Sequence, residues 1–357
     1  MDFSLESDHE AIVEAVDRLC AQFDDNYWAA CDAEHRFPWD FYDRMADGGW
    51  VGIAIPEKYG GGGRGIIEAA LVMNRIAASG AAMNGSTAVH LTMFGLNPVV
   101  KFGNDQLKEA FLPRAALGDL HVAFGVTEPD AGTDTSRITT RARTDDGVTN
   151  RFGGLSLFLA DLDPDHVDIR PIPKVGRNAV ASCETAYDDL PVEGWRLVGE
   201  RGRGFHHLLH GLNPERVLLA AVACGIGEAA LRRAVGHAKE RVVFDRLIGT
   251  NQAIAHPLAK ANMELKAAWL MTLEAAWRYD NDLDCGEHAN TAKYLAAEAG
   301  FFAADQAIQT HGGLGYASEY HVERYWREAR LIRLAPVSQE MTCNYVAHNV
   351  LGLPRSY

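Results

Sequence analysis

The stretch HGLNPERVLLAA (210–221) sets a carboxylate, Glu215, and a guanidinium, Arg216, at the mouth of an apolar run just behind a proline. A carboxylate in apolar surroundings can act as a general base, taking a proton from a carbon acid when its pKa approaches the working pH. The same residue also has an architectural reading. Asn213 suits a helix N-cap and Pro214 the first helical position, so Glu215 falls in a first turn, where the helix dipole favours a negative charge whatever its role. The dipole and Arg216 lower its pKa, while loss of water to an apolar ligand raises it; desolvation dominates once ligand covers the site.

Other residue sets carry less. His206 and His210 stand at i, i+4, but no acidic or cysteine ligand lies nearby at metal spacing, so polar packing is expected and no metal site. The glycine run Gly60–Gly63 lacks the Gly-Lys-Ser/Thr ending of a phosphate-binding loop, and no GxSxG element is present. Gly225-Ile-Gly227-x-x-Ala230, with Asp245 about twenty residues on, matches the dinucleotide fingerprint in letters. The fingerprint needs a strand before its glycines, and VLLAAVAC is an Ala/Leu-rich helical run with no parallel sheet around it. The six cysteines (20, 31, 183, 224, 285, 343) form no CxxC pair, which fits reduced thiols in a cytoplasmic protein.

The elements that must position these residues follow from periodicity. Apolar spacings of three and four in EAIVEAVDRLCAQF and IIEAALVMNRIAASG predict helices over residues 1–118, with WVGIAIPEKYGGGGRG as a loop. From His121 the texture turns to Thr, Val and aromatics broken by Gly, Pro and Asp, which predicts a β domain over 119–203. Helical periodicity then returns over 204–357, in long segments from Pro214 to Arg241, Ile254 to Tyr279 and Asn290 to Thr310. The fold class is α+β, in the order helical, β, helical. At 357 residues the chain is long enough for two or three domains, each with a core. A net charge of −14 argues against a nucleic-acid partner, which needs a basic face. No unbroken apolar run of about 18 residues is present, so no membrane insertion is expected. The start MDFSLESDHE has no basic n-region for a signal peptide.

Three stretches carry a resemblance to a known family. FGVTEPDAGTD (124–134) closely resembles the signature of acyl-CoA dehydrogenases, and ERVVFDRLIGTNQAI (240–254) and QTHGGLGYASEYHVERYWREAR (309–330) resemble that family's two C-terminal motifs. The likeness runs over nearly the whole chain, including IAIPEKYGG and the closing VLGLPRSY. It implies an acyl-CoA dehydrogenase-like fold with an N-terminal helical domain, a middle β domain and a C-terminal four-helix bundle. The implied reaction is FAD-dependent α,β-dehydrogenation of an acyl-CoA thioester to the trans-2-enoyl-CoA, with electrons passed to electron-transfer flavoprotein. An acyl-CoA oxidase or a flavin monooxygenase of the same fold, using oxygen, is the alternative; a non-catalytic binding relative is a third.

Residue by residue, the resemblance puts Phe124, Val126 and Thr127 along the flavin and Thr133 near its phosphate and the substrate thioester arm. Arg241, Phe244, Asn251 and Gln252 fall where the family meets the pyrophosphate and adenine of a cofactor held by a neighbouring subunit. Gln309, Gly312 and Gly313 fall on the adenosine side, and Ser338 and Glu340 close the site. Shared sites of this kind imply a homo-oligomer, a dimer or tetramer. Asn213 and Arg216 match substrate-side positions.

There are two departures. RARTDDG runs directly into VTNRFGGLSLF after about residue 147, where the resemblance implies roughly thirty more residues with two strands, whose loss would expose sheet edges. And in RLAPVSQEM the position of the family's usual base is Pro336, which can neither abstract a proton nor offer the backbone N–H that polarises the thioester. A smaller branch, including isovaleryl-CoA dehydrogenase, carries its glutamate early in the first long C-terminal helix, and that position is Glu215. Glu340 is the competing base, and Val337 the substitute N–H.

Overall fold

A computed structural model describes residues 4–134, 137–143 and 154–355. Seven helices come first: α1 (Ser7–Cys20), α2 (Asp25–Ala33), α3 (Trp39–Asp47), α4 (Ile66–Ile76), α5 (Ala82–Gly95), α6 (Asn97–Phe102) and α7 (Asp105–Ala116). Side-chain caps define several starts. Asp24 accepts from the Tyr27 N–H, and Asn104 accepts from the Leu107 N–H at 2.8 Å. The start of α4 is capped from far along the chain: Asp280 accepts from the Ile66 and Ile67 N–H groups at 2.8 and 2.9 Å, which ties the first helices to the last.

The stretch Ile66–Phe102 is long and apolar enough to cross a membrane, although no unbroken apolar run suggested it. Yet 78% of its most apolar window is buried inside the fold, where Val72, Met73, Ile76 and Val89 form core. The glycine run Gly60–Gly63 is part of the loop before α4, as its composition predicts.

Extended chain follows from Leu120. Among the described residues the regular pairing there is short: β1 (Val167–Pro171) runs antiparallel to β2 (Cys183–Tyr187), Ile169 opposite Thr185. The predicted break after about residue 147 lies outside the described residues. Although little of this segment is regular strand, it is firmly anchored. Asp32 of α2 accepts from the Asn178 N–H at 2.8 Å and pairs with Arg327 at 3.0 Å, and Asn84 of α5 accepts from the Ala179 N–H at 3.0 Å.

The remaining helices are α8 (Gly204–Glu240), α9 (Gln252–Asp280), α10 (Gly286–His311), α11 (Val322–Ile332) and α12 (Gln339–Tyr345), with a small hairpin, β3 (Val242–Val243) and β4 (Arg246–Leu247), after α8. Small residues let them pack closely. A Cβ on Gly300 of α10 would meet the Ala223 carbonyl oxygen of α8 at 2.4 Å, and one on Gly225 would meet the Asn74 carbonyl oxygen of α4 at 2.4 Å. Gly225 and Gly227 are therefore contact points between helices, which disposes of the dinucleotide fingerprint.

One local expectation is overturned. Asn213 and Pro214 do not start a helix; α8 begins ten residues earlier, at Gly204, and carries Pro214 inside it. Proline there removes one backbone hydrogen bond. The turn before it is held by packing instead: His207, Leu208 and Gly211 are buried, and the Phe102 ring sits 4.4 Å from that of His207. Glu215 thus lies well inside a helix, beyond the reach of the N-terminal dipole.

Candidate active site

Glu215 projects from the second half-turn after Gly211. A Cβ on Gly211 would meet the Phe94 ring at 3.2 Å, so α8 crosses α5 closely here. One turn further along α8, Leu218 lines a small apolar cavity with Met93, Phe94, Leu96 and Ile55. The glutamate is partly buried. Burial pushes its pKa up to about 7, and the charge of Arg216 only partly opposes this. Holding the anion here costs about 3 kcal/mol relative to water, at roughly 1.4 kcal/mol per unit. That is the environment a general base near neutrality requires.

Arg216 is itself held in place. Its Nη1 donates to Asn213 Oδ1 at 2.9 Å, while its buried Nε has no partner among the described residues. Burial lowers its pKa and Glu215 raises it. Asn213, expected as a cap, is instead the residue that aims this guanidinium.

The competing base sits differently. Ser338 caps α12, accepting from the Met341 N–H at 3.3 Å, and Glu340 lies exposed in that helix's first turn. Its own backbone N–H and the Ser338 hydroxyl hold its carboxyl below the usual range. Such a carboxylate is a weak base at neutral pH.

The residues placed along a flavin divide into two groups. Phe124 stands near the α5–α8 crossing, since a Cβ on Gly95, beside Phe94, would meet Val122 at 3.0 Å and Phe124 at 3.9 Å, and Val126 and Thr127 follow it along the chain. The chain alternates there: Phe124 and Val126 are half-buried, while Thr127 and Thr133 are exposed. Glu128 folds the segment back on itself by accepting from the amides and hydroxyls of Thr139 and Thr140, bonds that hold its pKa down at about 2. Ser338 and Glu340 belong to this end too, through the α10 contacts of the 333–339 turn.

The second group lies at the far end of the bundle. Arg241 follows α8 some twenty-six residues after Glu215, about 39 Å along a helix. Phe244 is 93% exposed at the hairpin tip, and Asn251 and Gln252 open α9. Gln309, Gly312 and Gly313 end α10 on the same side, because His311 stacks on His237 of α8 at 4.3 Å. Within one chain Arg241 and Glu215 are thus held far apart along α8. His206 and His210 meet each other by their rings, His210 also meets Phe102, and no group of three metal-ligating side chains occurs among the described residues. All six cysteines are free.

Two family models match: the acyl-CoA dehydrogenase N-terminal domain over residues 6–119 and the C-terminal domain over 202–351. Acyl-CoA dehydrogenase FadE12 of Mycobacterium tuberculosis (strain H37Rv) is 38% identical over 383 aligned positions, 98% of this chain and 97% of that protein. The chain belongs to the acyl-CoA dehydrogenase family. That alignment is longer than the 357-residue chain, so the relative has residues where this acyl-CoA dehydrogenase has none. Solved structures agree: glutaryl-coenzyme A dehydrogenase in complex with glutaryl-CoA matches with a TM-score of 0.92 at 26% identity, covering 100% of this chain and 98% of that one. Butyryl-CoA dehydrogenase from Megasphaera elsdenii also gives 0.92, at 25% identity, covering 98% and 100%.

Members of this family are FAD flavoproteins, and the exposed surfaces fit such a group. A Cβ on Gly132 or Gly313 would meet nothing within 4 Å, so the backbone there can be approached closely by a phosphate, with the exposed Thr133 hydroxyl next to the first; the Gly312 amide is already taken by the Gln309 and Ile308 carbonyls at the end of α10. Lys293 and Glu128 went unremarked in the sequence; the signal for Lys293 was a lone cation within the small-residue run ANTAKYLAAEAG.

Proposed function

We propose that this acyl-CoA dehydrogenase uses Glu215 as the base that removes the α proton of an acyl-CoA thioester, giving the trans-2-enoyl-CoA. The observation that carries the reading is the environment of Glu215: a carboxyl with a pKa of about 7 at the apolar α5–α8 crossing, while Pro336 has no acidic group and Glu340 is exposed with a lowered pKa. Bound FAD would supply the two-electron acceptor that a β hydride needs. Every other task falls to the chain. Thr127, Thr133 and the uncrowded backbone at Gly132 would bind the polar parts of the cofactor, Arg216 stabilises the ionised base, and Phe94 and Leu218 exclude water from it.

This reading places the chain with the family branch whose glutamate stands early in the first long C-terminal helix. It divides the molecule at about residues 118 and 203. Arg241, Phe244, Gln309 and Gly312 then serve the site of a second copy in a homo-oligomer, and electron-transfer flavoprotein receives the electrons.

Anaerobic mixing of FAD-loaded protein with acyl-CoA thioesters of graded chain length tests the reaction, and Glu215→Gln tests the base. The variant keeps FAD and binds the thioester, but flavin bleaching slows by about a hundredfold or more. Bleaching at the native rate in Glu215→Gln moves the base elsewhere, and no bleaching of the native protein across the panel removes the reaction. Oxygen uptake during turnover, with no response to electron-transfer flavoprotein, assigns the acceptor to oxygen.

A further inference from the structure

Lys293 of α10 is fully buried, and its Nζ donates to the Val337 carbonyl oxygen at 2.5 Å. Among the described residues no carboxylate stands within ion-pair distance of it. An ammonium withdrawn from water without a counter-ion is costly, so its one strong bond must hold something whose position matters. The charged groups facing it are Arg216 on α8, Glu298 on α10, Arg333 at the end of α11 and Glu340 in α12. Glu298 is already engaged, accepting from Arg333 Nε and from Gln339 Nε2, both at 2.7 Å. Those two bonds pin the ends of the 333–339 turn to α10, and the Gln339 N–H closes it on the Arg333 carbonyl at 3.2 Å. Lys293 pins its middle.

This turn contains Pro336, which has no N–H, and the next amide, that of Val337, makes no hydrogen bond among the described residues. Gly300 of α10 packs on Ala223 of α8, and His311 stacks on His237, so the two helices run in the same direction and Lys293, two turns before Gly300, stands level with Arg216, two turns before Ala223.

We propose that Lys293 is a positioning residue for the reaction. By clamping the Val337 carbonyl it fixes the Pro336–Val337 backbone, with its free N–H, against Glu215 while the α proton is removed. The inference rests on Glu215 being the base. Burial and Arg216 bring the Lys293 pKa down to about 8, so the clamp loosens as the ammonium loses its proton at alkaline pH.

Lys293→Met and Lys293→Gln, both loaded with FAD, are compared with Glu215→Gln by flavin bleaching, steady-state kinetics and pH profile. The methionine variant bleaches about tenfold or more slowly while KM stays within about threefold; the glutamine variant, whose neutral N–H is a weaker donor than the ammonium, recovers only part of the rate, to about the level the native enzyme keeps above pH 8. Native kcat falls as pH rises through about 8, and the glutamine variant lacks that fall because an amide does not titrate. Should Lys293→Met fail to fold, the pH profile of Lys293→Gln decides alone. A folded methionine variant with native kcat, or a glutamine variant that keeps the alkaline fall, overturns the proposal. Either result beside an inactive Glu215→Gln leaves the base assignment standing, whereas an active Glu215→Gln removes the base and the clamp's purpose together.

Discussion

If Glu215 is the base, its titration must appear in the kinetics. Catalysis needs the ionised form, and burial has raised the pKa to about 7. Lowering the pH from 7 to 6 then leaves about one molecule in ten competent, and each further unit costs another factor of about ten. The acid limb of kcat/KM, which reports the free enzyme, should have unit slope and a midpoint near 7. The limb of kcat, which reports the complex, should lie higher, because a bound acyl chain removes more water from the carboxylate. Arg216→Met removes the one charge that opposes the shift and should move both limbs upward. The assay is stopped-flow bleaching of FAD-loaded enzyme under anaerobic conditions from pH 5 to 8. Glu340 makes the control: its carboxyl sits below the usual range, so a base there would leave the profile flat over the whole interval. A flat profile, or a midpoint near 7 that vanishes in Glu340→Gln but persists in Glu215→Gln, refutes the reasoning.

Two further outcomes concern stability. The folded pKa of Glu215 lies above its ordinary 4.5, so the folded state holds the extra proton and loses stability as pH rises from about 4.5 through 7. Glu215→Gln should therefore be more stable than the native chain at pH 8, by about 2 kcal/mol after allowance for partial exposure, and scarcely different at pH 5; equal shifts in thermal midpoint at both pH values would contradict this. Gly300→Ala drives a methyl into the Ala223 carbonyl and should destabilise the bundle by about 3 kcal/mol or more at every pH, seen as a lower denaturant midpoint.

Much of the architecture was legible because long helices announce themselves by period. The segments beginning near Ile254 and Asn290 appear as α9 and α10, within a few residues at each end except the start of α10. The start of α8 was not legible. Asn213-Pro214 is good start chemistry, and only the packing of His207, Leu208 and Gly211 carries the helix through it. The middle segment was legible in texture but not in pairing, since among its described residues little beyond β1 and β2 forms regular strand; its fixity comes from Asp32 and Asn84, acceptors on helices more than ninety residues away in sequence. Arg241 and Glu215 show a third limit. Motif letters list the two side by side, and the rise along α8 is needed to show that they lie toward different ends of the bundle.

The misread helix start matters for the chemistry. At an N-terminus, Glu215 would gain from the helix dipole and from Arg216 together, both favouring the anion and a low pKa, and a weak base would result. Ten residues of helix before Pro214 remove the first influence. Asn213 then engages the guanidinium, and the α5 crossing at Gly211 excludes water from the side chain. What remains is desolvation against a single charge, and desolvation prevails. The extension of α8 toward Gly204 therefore does more than lengthen a helix: it converts a carboxylate that sequence rules would keep ionised at pH 5 into one whose proton affinity matches neutral pH. Lys293 acts across the same gap with the opposite charge, withdrawn from water by the same packing. A buried acid poised near 7 and a buried base poised near 8 leave a narrow interval in which both are charged. The bell-shaped profile expected of kcat is set by that interval, and each limb belongs to a different helix.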